Sequence, residues 1–138
     1  MTRVVIDTNI FVSSFFGGKP KKVIDLWKQG QITICLSQHI IEEYIDVLMR
    51  LGLQNEQQIE ALLDVFTRNY HSVYTAQTPE LGAVVKNDPD DDKFVECAIA
   101  LQAEYIISGD KALLEIGKYM NVSILSAADF LKEPWLTV

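Results

Sequence analysis

The sequence predicts an α/β fold: a parallel sheet covered by helices on both faces. Two observations carry this. Short apolar, β-branched runs alternate with segments of helical period along the whole chain. Those runs are continuous and do not alternate apolar with polar, so the strands are buried on both sides. At 138 residues the chain is expected to form a single domain, 1–138.

The elements follow in order. R-V-V-I (3–6) reads as a buried strand, and Asp7-Thr8-Asn9 then offers capping side chains. The helical stretch I-F-V-S-S-F-F is ended by Gly17-Gly18. Pro20 suits the first turn of a second helix, with Val23, Ile24, Leu26 and Trp27 on its apolar side and Gly30 at its end. I-T-I-C-L (32–36) is the next strand. Ser37 caps a long helix over about 38–51, ended by Gly52. Asn55 with Gln58 opens a fourth helix that runs to about Tyr70. S-V-Y-T-A (72–76) is a strand, and 77–90 a loop. A helix over about 91–103, a strand at 105–108, a short helix at 111–117 and a strand at 122–125 follow. Ser126 with Asp129 caps a last short helix. There is no repeat, low-complexity tract or linker.

Composition bounds the function. Apolar residues make up 49% and charged residues 22%, as in soluble globular proteins. No apolar run approaches the ~20 residues of a membrane span. The chain enters a strand at once, without a signal-peptide pattern, and is expected to be cytoplasmic. Cys35 and Cys97 read as buried reduced thiols, and their spacing fits no zinc motif. A net charge of −7 argues against broad, cationic nucleic-acid binding. It leaves a nucleic-acid enzyme open, because acids at a metal site contribute to it. Lys19, Lys21, Lys22 and Lys28 fall within ten residues. The first three are candidate contacts for substrate phosphates, with a solvated helix start as the plain alternative.

Four acidic stretches carry the chemistry. Asp7 and Asp110 each follow a strand, at the edge where open parallel sheets bind ligands. In N-D-P-D-D-D-K-F the helical wheel puts Asp91 on the arc of Phe94, Val95, Ala98 and Leu101. It puts Asp92 nearer solvent with Glu96, so Asp91 is favoured and Asp92 is the alternative. Period does not separate Glu42 from Glu43, which both flank the apolar stripe of Ile40, Ile41, Tyr44, Ile45 and Leu48. Each acid alone also fits a helix cap, an exposed helix acid or a solvated loop. Gathered together, they repel unless a cation neutralises them. Oxygen-only donors select Mg²⁺ or Mn²⁺, one or two ions, over zinc. His39 and His71 have no ligand spacing. Such a site suits phosphodiester hydrolysis. A Mg²⁺-dependent phosphatase would want an acid two residues after Asp7, where Asn9 stands. A non-catalytic module with an acidic patch is the other alternative.

The segments V-I-D-T-N-I-F-V-S, L-S-Q-H-I-I-E-E-Y-I-D-V-L, D-P-D-D-D-K-F-V-E-C-A and A-E-Y-I-I-S-G-D-K-A-L-L occur in this order over nearly the whole chain. With them the chain resembles the PIN domain, and within it the single-domain, toxin-like prokaryotic group. The resemblance implies an α/β/α sandwich and a Mg²⁺- or Mn²⁺-dependent ribonuclease acting on RNA. It implies Asp7, Glu43, Asp91 and Asp110 as the catalytic, metal-holding acids, and so chooses Glu43 over Glu42. Asn9 and Ser108 match positions that orient the site. It further implies a small antitoxin partner and a homodimer.

Overall fold

The computed structural model describes residues 2–52, 71–82, 84–85 and 89–133. The helix expected from Asn55 to about Tyr70 lies outside them, as does Asp88. Six strands form one sheet among the described residues: β1 (Thr2–Ile6), β2 (Ile32–Ser37), β3 (Ser72–Thr75), β4 (Tyr105–Ile107), β5 (Lys118–Tyr119) and β6 (Val122–Leu125). Their order is β3-β2-β1-β4-β6-β5. All neighbours pair in parallel except β5 with β6. The fold is α/β, with helices flanking a mostly parallel sheet, as expected.

Successive side chains of a strand point to opposite faces. Val4, Val5 and Ile6 of β1 are each 0% exposed, so both faces of the sheet are covered there. Among the described residues the α-helices are α1 (Thr8–Ser13), α2 (Gly18–Lys28), α3 (Gln38–Arg50), α4 (Asp92–Ala100), α5 (Lys111–Ile116) and α6 (Ala127–Phe130). Trp27, Tyr44, Phe11, Phe94 and Phe130 are the largest fully buried side chains among the described residues.

Differences from the sequence reading are local. The stretch after Asp7 is two pieces, α1 and a 3₁₀ turn at Ser14–Phe16. The helix expected over 91–103 begins with a 3₁₀ turn at Pro89–Asp91 and stops at Ala100. Gln102 then takes a left-handed φ of 56°, which no helix continues. Ser108 lies beyond the end of β4. The two-residue antiparallel edge strand β5 has no counterpart in the sequence reading, because two residues carry no period.

The topology positions the site. β1 pairs with β2 on one side and β4 on the other, so the chain reverses its winding direction there. The crevice outside the carboxyl ends of such a pair is where doubly wound sheets bind ligands. Asp7 follows β1 and Ser108-Gly109-Asp110 follows β4. The Asp7 N–H donates to Ile107 O at 2.9 Å, extending the ladder to the site itself.

Candidate active site

Asp7 is buried, 3% exposed, at the N-terminus of α1. One carboxylate oxygen, Oδ1, accepts the Asn9 N–H at 3.0 Å and caps the helix. The other, Oδ2, accepts the Ser108 hydroxyl from beyond β4. The capping role and the site role therefore coexist in one side chain. Burial pushes the Asp7 carboxyl above its ordinary value of 3.8. The hydrogen bonds from Ser108 and Asn9 oppose this, and the fields of Asp110 and Glu43 add to it.

Asp110 caps α5 in the same manner, accepting the Ala112 N–H at 2.8 Å. Its own N–H donates to Ser108 Oγ at 2.9 Å. Ser108 is thus a two-way link, donating to one acid and accepting from the next. The Asp110 carboxyl is held below its ordinary value, first by a hydrogen bond with Asp91. Partial burial opposes this, and the Ala112 and Leu113 amides reinforce it.

Glu43 reaches the same place from α3. Tyr44, next to it, is 0% exposed. Its hydroxyl donates to the Ile6 carbonyl, one residue before Asp7. Its ring stacks on Phe11, with centroids 4.2 Å apart and planes 6° from parallel. These contacts lock α3 against β1 and α1. Glu43 Oε2 accepts the Thr8 hydroxyl, and Oε1 accepts Lys93 Nζ at 2.7 Å. Glu42 faces outward and accepts from Gln38 Nε2 at 2.9 Å. The structure thus separates two acids that period could not.

Asp91 and Asp92 also divide their work. Asp91, half-buried in the 3₁₀ turn, acts on the Asp110 carboxyl. Asp92 departs from the wheel, which turned it toward solvent. It is 8% exposed, and its Oδ1 accepts the Val85 N–H at 2.7 Å. Val85, seven residues earlier, meets Asp92 at the helix start, and no helical wheel contains that contact.

Asn9 contributes its main-chain N–H to Asp7, while its side chain is exposed. Lys19, Lys21 and Lys22 lie exposed in the first half of α2, and Lys21 pairs with Asp25 at 3.0 Å. None of the three lines the groove of ≈ 700 Å³ between α3 and the start of α4. That groove opens beside Glu43 and Lys93 and is rimmed by Glu42, Asp46, Asp90 and Glu96. Thr8 and Lys93 were not among the residues expected at the site. Thr8 stands between Asp7 and Asn9, and that adjacency was its only signal. Lys93 had none, since a lysine on a helix start normally reads as solvated.

A family model of the PIN domain matches residues 3–112. The chain belongs to the PIN domain family. No curated protein matches it. PIN domains are generally nucleases, and typically metal-dependent ones. The donor set of this PIN domain fits a hard divalent cation. Asp7 lies in the fields of Asp110 and Glu43, Asp91 acts on Asp110, and every candidate ligand is an oxygen. Among the described residues, no three His, Cys, Asp or Glu side chains already converge to hold an ion. Glu43 is drawn to Thr8 and Lys93, and Asp7 to Asn9 and Ser108. No helix among the described residues is long and apolar enough to cross a membrane.

Proposed function

We propose that this PIN domain is a metal-dependent endoribonuclease that hydrolyses RNA phosphodiester bonds and serves as the toxin of a toxin–antitoxin pair. The observation that carries the reading is the placement of Asp7. It is buried at the winding-reversal point of the sheet, in the combined field of Asp110 and Glu43. Asp7, Glu43, Asp91 and Asp110 would hold Mg²⁺ or Mn²⁺, one or two ions. When bound, such an ion supplies Lewis acidity and charge neutralisation toward a phosphodiester. Ser108 and the Asn9 amide hold Asp7, and Thr8 holds Glu43, so the acids are oriented before a substrate arrives. Lys19 and Lys22 are exposed near α1 and offer cations for flanking phosphates. A small antitoxin that covers the site, a homodimer and a cytoplasmic location complete the proposal.

The test is cleavage of total RNA by the purified chain with Mg²⁺ or Mn²⁺, beside Asp7→Asn prepared identically. Metal-dependent cleavage by the natural chain and none by the variant is expected. Equal cleavage by both would sink the reading. Mg²⁺ should also raise the melting temperature of the natural chain, because the ion binds only the folded site.

One observation favours a second reading, a non-catalytic module that meets a basic partner. The groove beside Glu43 is rimmed by acids, although an RNA substrate is anionic. Neither cleavage nor Mn²⁺ binding by the purified chain would favour the module.

A further inference from the structure

Lys93 is the cation already built into the acidic site. It is the second residue of α4, where the helix dipole favours anions and disfavours an ammonium. Its position is therefore not explained by the helix that carries it. What holds it is Glu43, on another helix and 50 residues away, with Nζ 2.7 Å from Oε1. The pair is half-buried, with side chains 21% and 27% exposed, so solvent screens it less than an ordinary surface pair. Three other ion pairs among the described residues differ. Lys21–Asp25, Arg50–Asp46 and Lys111–Glu115 each lie four residues apart on one helix and are more exposed. Lys93–Glu43 bridges α3 to α4 across the mouth of the site.

We infer that Lys93 fills the role of a second metal ion, making this a one-ion site in which an ammonium covers the Oε1 side of Glu43. Charge and geometry agree on this. Fully ionised, the four acids against one ammonium leave three formal negative charges. One divalent ion leaves a single negative charge, and a second would reverse the sign while Lys93 remains. Asp7 and Glu43 each have both oxygens engaged, but the Glu43 side chain alone meets a cation, so an ion reaching Oε1 must displace an ammonium. Ser108 joins Asp7 to Asp110, and Asp91 acts on Asp110 from the start of α4. Lys93 is accordingly a positioning residue: it sets where Glu43 points and how many ions the acids accept.

This inference rests on the metal-site reading, and counting ions separates the two. Mn²⁺ titration by calorimetry, with free Mn²⁺ followed by electron paramagnetic resonance, should give one ion per natural chain. Lys93→Met should accept two, and Lys93→Arg, which keeps the charge, should return to one. A loss of packing alone would not raise the count. Two ions on the natural chain, or one on a folded Lys93→Met, would overturn the inference and leave the metal site standing. No ion on the natural chain would overturn both. If Lys93→Met does not fold, Lys93→Gln, which also removes the charge, gives the same comparison.

Discussion

The Ser108 hydroxyl donates to Asp7 Oδ2 across 101 positions of sequence, and both residues are buried. Because Ser108 Oγ also accepts the Asp110 N–H, one hydroxyl sets the spacing of two acids. Ser108→Ala removes the donor and leaves a buried carboxylate with one hydrogen bond fewer. We expect a loss of about 1–3 kcal/mol in folding stability by denaturant unfolding at neutral pH. Cleavage should fall as well. A variant as stable as the natural chain would show that the hydroxyl does not support Asp7.

The pH dependence of stability tests the burial of Asp7. Its folded value is raised above 3.8, chiefly by desolvation. A raised acid contributes stability that is fully present below its unfolded value and is lost as pH rises through the folded one. Without divalent metal, Asp7→Asn should therefore melt higher than the natural chain at pH 7. The difference should shrink toward zero as pH falls toward 3.8. Added Mg²⁺ should narrow the gap at pH 7 by stabilising the natural chain alone. A gap independent of pH would contradict this.

Neighbouring acids on α3 provide an internal control. Glu43→Gln keeps the shape of the side chain but removes the charge that Thr8 and Lys93 face. We expect it to reduce RNA cleavage by about 100-fold or more, the scale of losing a group that acts in the transition state. Glu42 is exposed and accepts from Gln38 on its own helix, so Glu42→Gln should cleave within about two-fold of the natural chain. Equal losses in single-turnover rates would remove the distinction between them.

At the start of α4 the prediction runs by residue. Asp91→Asn should lose cleavage while keeping the fold, because its partner is Asp110. Asp92→Asn should act through stability, since its Oδ1 anchors the Val85 N–H in a buried position. A cost of about 1–2 kcal/mol is expected, as for weakening a buried hydrogen bond. Hydrogen exchange at the Val85 amide should speed up in Asp92→Asn and stay unchanged in Asp91→Asn.

Much of the molecule was legible along the chain. Apolar runs at 3–6, 32–36, 105–108 and 122–125 marked strands, and capping residues marked where helices begin. Asp7 and Asp110 could be chosen because each follows a strand. Resemblance then supplied Glu43, which periodicity left tied with Glu42. What stayed hidden is non-local. The order of the sheet depends on pairings between β1 and β4, about 100 residues apart, that no local pattern encodes. Glu43 and Lys93 find each other across 50 residues, and Asp92 meets Val85, which its own helix does not contain.

The sequence by itself determined the fold class, the run of elements and the positions of the candidate acids, because strand period, helix period and capping act over a few residues. Only the tertiary structure decided which acids share a field and which carboxylate meets a lysine. It also showed that one serine holds two aspartates. Those are energies between side chains brought together by sheet order, and they exist only once the chain has closed on itself.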